Sequence, residues 1–175
     1  MNHPHIIIIT GHSCSGKSTL RKELQKYLPG YYHIGFDSIK WNLSGYHRDR
    51  DIDTVKDILR GFFSALFERG IPCITDSFFR DEEEYTHMRD EAILHNYKVI
   101  TIELRCPEGV RIERFGERVV QAKAEWSTRI SVTDEGIFRE NMDKPMYFPS
   151  DSMIFDTSTE STEEITKMVL TELTK

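Results

Sequence analysis

The chain has 175 residues, a length that suits one domain, spanning residues 1–175, with a complete hydrophobic core. Lys plus Arg number 23 and Asp plus Glu number 29, and the resulting net charge of −6 argues against sequence-independent nucleic-acid binding, which depends on a basic surface. Because no apolar run approaches the ~20 residues of a membrane span and the first residues lack the pattern of a signal peptide, we expect a cytoplasmic protein with no membrane partner.

Strand and helix patterns alternate from one end of the chain to the other. Strands are predicted at residues 5–10, 31–37, 71–76, 99–104 and 153–156. Helices are predicted at residues 18–28, between Asp51 and Gly70, at residues 82–95, from Pro107 to about Ala122, and after the capping box of Ser161 and Glu164. Helical spacing places Ile93 and Met168 among the inward residues. This alternation implies an α/β fold with a parallel sheet covered on both faces, in which ligands bind at the carboxyl ends of the strands.

The segment GHSCSGKS, from Gly11 to Ser18, matches the phosphate-binding motif G-x-x-x-x-G-K-[ST] in full, with a buried strand before it and a helix after it. Gly11 and Gly16 allow backbone angles that a side chain forbids, so the loop can turn its N–H groups toward phosphate oxygens. Lys17 is expected to reach the β- and γ-phosphates, and the Ser18 hydroxyl to coordinate magnesium. The predicted nucleotide-binding residues of the loop are Gly11, Ser13, Cys14, Ser15, Gly16, Lys17, Ser18 and Thr19. The alternative is a chance glycine-rich turn.

With this loop, a predicted strand ending in Asp37 and the sequence CITD ending in Asp76, the chain resembles the P-loop small-molecule kinases. That group includes the adenylate, shikimate and gluconate kinases, chloramphenicol phosphotransferase and the zeta toxins. The resemblance covers essentially the whole chain, including the late segment DTS that contains Thr157. It implies a three-layer P-loop NTPase fold with a five-stranded parallel sheet in the order 2-3-1-4-5, a small lid, and the use of ATP and Mg²⁺.

The resemblance also implies roles for two aspartates. Asp76 would lie next to Ser18, where an acidic residue commonly holds magnesium, often through water. Asp37 would end the second strand and face an acceptor hydroxyl, either as a general base or as an orienting group. A helix cap or turn cap is the alternative for each aspartate.

A basic acceptor contact is also implied. The segment from Asp76 to Arg80 resembles the D-G-[FY]-P-R segment of adenylate kinases, in which the arginine contacts the phosphate of the acceptor, but serine and phenylalanine replace the glycine and the proline here. Lys40 lies three residues after Asp37, where relatives often carry arginine. Asp37, Lys40 and Arg80 are therefore the predicted acceptor-binding residues.

Three arginines, Arg111, Arg114 and Arg118, fall at i, i+3 and i+7 and share one face of a predicted helix. By resemblance to adenylate-kinase-like enzymes, Arg114 would pack near adenine and the phosphates, and Arg118 would stabilise charge on the transferring phosphoryl group. Residues 122–133 would form the lid, and Thr157 would belong to a loop around adenine. A solvated basic face is the alternative for the arginines.

The leading hypothesis is an ATP-dependent phosphotransferase that moves the γ-phosphoryl group to a hydroxyl of a small molecule. A nucleoside monophosphate kinase is the close alternative. Two residues discriminate these functions, since a hydroxyl acceptor needs Asp37 and a phosphate acceptor needs Arg80. A nucleotide-dependent switch or NTPase that binds a partner protein is the alternative from another class. The expected partners are ATP and a small-molecule acceptor that the sequence does not name, for a monomer or a homodimer.

Overall fold

Four consecutive isoleucines, Ile6 to Ile9, occupy the centre of the sheet and are fully buried. The computed structural model describes residues 3–76, 79–124, 133–142 and 146–175. The strands within these residues are β1 (His5–Gly11), β2 (Tyr32–His33), β3 (Cys73–Asp76), β4 (Lys98–Arg105) and β5 (Met153–Asp156). They form one parallel sheet in the order β2-β3-β1-β4-β5.

Helices cover both faces of this sheet. They are α1 (Lys17–Tyr27), α2 (Phe36–Lys40), α3 (Arg48–Glu68), α4 (Glu82–Leu94), α5 (Glu108–Ala124), α6 (Glu135–Met142) and α7 (Thr162–Leu173). Because side chains alternate across a strand, Ile6 and Ile8 join the core formed with α3 and α4, whereas Ile7 and Ile9 join the core formed with α1 and α7. The result is a three-layer arrangement of helices, sheet and helices.

The carboxyl ends of the strands meet at one edge of the sheet because all the pairings are parallel. Ile9 of β1 is in register with Asp76 of β3, and Gly11 is in register with Leu104 of β4. This edge therefore brings the glycine-rich loop, the end of β3 and the connection to α5 close together, as expected for a ligand site in a sheet of this kind.

The predicted α/β architecture and the strand order 2-3-1-4-5 are confirmed. The strand predicted at residues 31–37 is wrong in its extent, because β2 contains only Tyr32 and His33. Gly35 follows as the extended N-cap of α2, so Asp37 lies in the first turn of a short helix and not at a strand end.

The prediction that Ile93 and Met168 face the core is also wrong, since their side chains are 54% and 51% exposed. The contact stripe of α4 runs through Tyr85, Met88 and Ala92, and Ile93 lies beside this stripe. On α7 the capping box of Ser161 and Glu164 is present as predicted.

The predicted lid, residues 122–133, lies mostly outside the described residues, and its first three residues belong to the end of α5. The helix α6 beyond it was not predicted; its Phe138 stacks on Phe115 of α5 with ring centroids 4.1 Å apart. None of the described helices combines the length and the apolar character needed to cross a bilayer.

Candidate nucleotide and acceptor site

The glycine-rich loop leaves β1 and closes into the first turn of α1. Gly11 and Gly16 have φ angles of 144° and 95°. A Cβ at Gly11 would lie 2.6 Å from the carbonyl oxygen of Leu104 and equally close to Ser15 Oγ, so only glycine fits there. Gly16 is the left-handed N-cap of α1, which leaves the positive end of that helix facing the loop. This geometry is that of an anion-binding cradle.

Lys17 folds back over the loop that precedes it. Its Nζ donates hydrogen bonds to the carbonyl oxygens of Gly11, at 2.7 Å, and His12, at 2.9 Å. Burial lowers the pKa of Lys17 to about 8, and the charges of Asp76 and Asp37 oppose this decrease. Both predicted functional aspartates therefore lie close enough to act on the ammonium group.

The predicted metal-binding pair is brought together by the first turn of α1 and the end of β3. Ser18 Oγ donates to Asp76 Oδ2 at 3.1 Å. Burial raises the pKa of Asp76, but the hydrogen bond and charge of His33, the charge of Arg21 and the hydrogen bond from Ser18 outweigh burial and hold the pKa below its usual value. Asp76 is therefore an anion at neutral pH.

The donor set of this pair fits magnesium. A hydroxyl and a carboxylate are hard oxygen ligands, and Mg²⁺ commonly takes one or two protein oxygens and completes its shell with phosphate oxygens and water. In the part of the chain that the structure describes, no cluster of three or more histidine, cysteine or acidic side chains forms a separate metal site. Ser18 and Asp76 are the residues that would hold the ion.

Asp37 and Lys40 form an ion pair on the short helix α2. The Asp37 side chain is 70% exposed, and Lys40 Nζ donates to its Oδ1 at 2.7 Å. Lys40 itself is buried, with its Nζ 4.7 Å from the ring centroid of Trp41 and 5.8 Å from that of Tyr46. Lys40 thus contacts Asp37 directly, and the two aromatic rings hold the lysine in place.

Arg80, the other predicted acceptor residue, is held by α3 and α4. Its guanidinium pairs with Asp53 of α3 at 3.6 Å, and both side chains are more than half exposed. Its backbone N–H donates to Glu84 of α4 at 2.8 Å. A phosphate acceptor would therefore have to compete with Asp53 for this arginine.

Arg114 joins the loop after β5 to the glycine-rich loop. It donates to Thr157 Oγ1 at 3.0 Å, to the Thr157 carbonyl oxygen at 2.7 Å and to the Cys14 carbonyl oxygen at 3.5 Å. Thr157 Oγ1 in turn donates to the Ser15 carbonyl oxygen at 3.0 Å. The two predicted nucleotide contacts, Arg114 and Thr157, are thus parts of one network.

The other two arginines of this helix face have different partners. Arg118 hydrogen-bonds the side chain of Cys14, and its charge counteracts part of the increase that burial causes in the pKa of that thiol. Arg111 is the most buried of the three, at 8% exposure, and its Nε donates to the Cys106 carbonyl oxygen at 3.2 Å. Burial and the nearby charge of Arg111 both lower the pKa of His12. Burial therefore differs along this face, because Arg111 is buried and Arg118 is exposed.

A family model described as an AAA domain matches residues 6–135, which are 130 of the 175 residues. The chain belongs to this AAA domain family. No curated protein sequence matches the chain.

Solved structures share the fold of this AAA domain. A proposed kinase from Chloroflexus aurantiacus has a TM-score of 0.75 at 21% identity, over 97% of this chain and 98% of that one. The APS kinase CysC of Mycobacterium tuberculosis, solved with AMPPNP and APS, has a TM-score of 0.69 at 16% identity, over the full length of both chains. A gluconokinase from Sinorhizobium meliloti has a TM-score of 0.61 at 18% identity, over 99% and 94%. At these identities the likeness shows the fold, which is that of P-loop small-molecule kinases.

The site of the AAA domain also contains residues that the sequence pattern did not single out. His33 Nε2 lies 2.8 Å from Asp76 Oδ1, and Arg21 Nε lies 3.4 Å from Asp76 Oδ2. Two signals could have found them. His33 lies at the carboxyl end of the strand that neighbours β3, and Arg21 lies three residues after Ser18 on the same helix face.

Proposed function

We propose that the protein is an ATP-dependent kinase that transfers the γ-phosphoryl group to a hydroxyl of a small molecule, with ATP and that molecule as its partners in the cytoplasm. The observation that supports a hydroxyl acceptor is the exposed carboxylate of Asp37. Lys40 holds this carboxylate through a 2.7 Å ion pair on α2. Family membership and the kinase fold support the nucleotide half of the proposal.

On the nucleotide side, the backbone N–H groups of residues 13–19 would bind the phosphates, and Lys17 would bind the β- and γ-phosphate oxygens. Arg114 and Thr157 would form the adenine side, and Arg118 would face the transferring phosphoryl group. Magnesium held by Ser18 and Asp76 would supply neutralisation of phosphate charge.

On the acceptor side, the hydroxyl oxygen attacks the γ-phosphorus, and the bond from this phosphorus to the oxygen that bridges it to the β-phosphate breaks. ADP leaves, and the hydroxyl proton passes to the Asp37 carboxylate. Such transfer depends mainly on positioning and electrostatics. The ion pair between Lys40 and Asp37 would therefore keep the carboxylate beside the attacking oxygen. Trp41, which is 38% exposed next to this pair, would pack against the acceptor.

A nucleoside monophosphate kinase is the second candidate, and Arg80 is the residue that favours it. The ion pair between Arg80 and Asp53 weakens this case, because the arginine already has an anionic partner. A nucleotide-dependent switch is less well supported, since the aromatic and cationic residues beside Asp37 suit a small acceptor.

The test begins with an ATP-consumption screen against nucleosides, nucleotides, sugars and aminoglycosides. With the acceptor that the screen identifies, Asp37→Asn keeps the side-chain shape and removes the basicity, so kcat should fall ~100-fold or more while ATP affinity stays nearly constant. Asp57→Asn is the matched control, because Asp57 is also 70% exposed and forms an i,i+3 ion pair of 2.7 Å with Arg60. Normal turnover in Asp37→Asn, with collapse in Arg80→Ala on a nucleotide acceptor, would instead establish the monophosphate kinase.

A further inference from the structure

The Asp76 carboxylate is contacted by Ser18, Arg21 and His33, and the Nε of Arg21 lies 3.4 Å from its Oδ2. Its Oδ2 accepts from Ser18 at 3.1 Å, and its Oδ1 lies 2.8 Å from His33 Nε2. Because an ionised carboxylate can only accept, Nε2 of His33 is the donor. The side chains of His33 and Asp76 are 20% and 14% exposed, so this contact is largely shielded from water. Such shielding strengthens a hydrogen bond to a charged group.

The backbone fixes this contact from the β2 side. His33 pairs with Ile74 in the sheet register, two positions before Asp76, and the next residue, Ile34, donates its N–H to the Ile74 carbonyl oxygen at 3.1 Å. The histidine is therefore anchored to the same strand that carries its aspartate partner. A different orientation of the Asp76 carboxylate would break its contact with His33.

Gly35 closes the turn directly against the same carboxylate. A Cβ at Gly35 would lie 2.5 Å from Asp76 Oδ1 and 3.2 Å from the Asp76 carbonyl oxygen. The φ and ψ of Gly35 are −153° and 164°, an extended conformation that any residue adopts. The glycine is thus required by space and not by backbone conformation.

We infer that His33 is a positioning residue for magnesium, acting through Asp76, and that Gly35 leaves the space in which the carboxylate takes this orientation. The inference rests on the proposed metal role of Ser18 and Asp76. Magnesium demands nearly ideal octahedral geometry, so a carboxylate that serves its shell must be held in one orientation. Partners that orient metal-binding groups typically change metal affinity 10- to 100-fold when they are removed.

The experiment measures Mn²⁺ binding to the protein in the presence of AMPPNP by electron paramagnetic resonance, so it needs neither acceptor nor turnover. His33→Ala and Gly35→Ala should each weaken Mn²⁺ binding about tenfold. His33→Gln should restore most of the affinity, because its amide can donate at the same reach. Binding of AMPPNP without a divalent ion, measured by calorimetry, should stay within about twofold of wild type.

Two control variants separate an effect on the orientation of Asp76 from a general loss of stability. Tyr32→Ala removes a 46%-exposed side chain from the same short strand, and Gly61→Ala adds a Cβ on α3 with no atom within 4 Å. Both should bind Mn²⁺ like the wild type, and Gly61→Ala should unfold at no lower temperature, because alanine favours a helix more than glycine does. If His33→Ala does not fold, the Mn²⁺ affinity of Gly35→Ala still tests the inference, because the backbone conformation at residue 35 suits alanine.

A further variant, Asp76→Asn, distinguishes the proposed positioning role of His33 from the proposed metal role of Asp76. If it lowers Mn²⁺ affinity while His33→Ala and Gly35→Ala do not, His33 has no positioning role and the metal role of Asp76 stands. If Asp76→Asn itself leaves Mn²⁺ affinity unchanged, the metal role fails and the inference fails with it.

Discussion

The Lys17 ammonium group lies 2.7 Å from the carbonyl oxygen of Gly11, so the lysine of the phosphate-binding motif contacts its own loop. Lys17→Ala should lower AMPPNP affinity at least tenfold or abolish turnover, because the cation that meets the β- and γ-phosphates is lost. Lys22→Ala, on the exposed face of α1, is the control. Calorimetry checks binding, and unchanged kinetics in Lys17→Ala would contradict the assignment of the loop.

The low pKa of Lys17, about 8, predicts that nucleotide binding is coupled to proton uptake. Phosphate oxygens favour the charged lysine, so the pKa of Lys17 rises when AMPPNP binds. Above about pH 8 the free protein loses this proton and binding restores it, so affinity should fall as pH rises, by up to tenfold per pH unit. Calorimetry in buffers of different ionisation enthalpy measures the number of protons taken up when AMPPNP binds. Lys17→Arg, which stays charged, should lose this pH dependence, and an equal dependence in both proteins would contradict the coupling.

The pair of Lys40 and Asp37 can be tested separately from the chemistry of Asp37. Lys40→Met keeps an apolar stem beside Trp41 and Tyr46 but removes the cation, so the carboxylate loses its orienting partner. We expect kcat to fall about tenfold with little change in KM for ATP. In the Asp37→Asn background the same substitution should have a much smaller effect, because the partner is already changed. Additive losses in that double mutant would contradict the positioning role.

The network around Thr157 predicts an effect on nucleotide affinity. Thr157→Val preserves shape but removes the hydroxyl that donates to the Ser15 carbonyl oxygen and accepts from Arg114. Loss of these bonds should weaken AMPPNP binding about fivefold to tenfold, with little change in kcat. Thr159→Val, two residues along and exposed, is the control. Calorimetric titration checks the effect, and equal affinity in both variants would remove Thr157 from the nucleotide site.

A buried ion pair outside the site makes a stability prediction. Lys56 of α3 donates to Glu84 of α4 at 2.5 Å, and their side chains are 5% and 14% exposed. Lys56→Met leaves a buried carboxylate without its cation and should cost about 3 kcal/mol of unfolding free energy. Arg60→Met, which breaks an exposed pair with Asp57, should cost less than about 1 kcal/mol. Urea unfolding followed by circular dichroism measures both, and equal losses would contradict the difference in burial.

Among the described elements, local pattern was sufficient to predict β1, β3, β4 and β5 and five of the seven helices, but it extended β2 too far and missed α2 and α6. The isoleucines of β1 and the glycines of the loop could be placed from residue type alone. A β-branched run suits a strand buried on both faces, and a left-handed turn suits glycine. The proximity of Asp76 and Ser18 followed from strand order, which the family resemblance supplied.

Contacts set by tertiary packing could not be predicted in the same way. The sequence predicts a strand end at residue 37, but Gly35 is the N-cap of α2 and Asp37 lies in the first turn of that helix. Likewise, the partner of Lys40 is an aspartate one turn away, and its burial depends on the rings of Trp41 and Tyr46. The i,i+3 spacing of Asp37 and Lys40 indicates their pairing only once the segment is known to be helical.

The brevity of the outer strands has a consequence for self-association. β2 has two residues and β5 has four, so each sheet edge offers few backbone groups to a strand from a second molecule. Short edges protect parallel sheets from edge-to-edge aggregation. Within the described residues, the two short edge strands thus disfavour a homodimer that joins two sheets edge to edge.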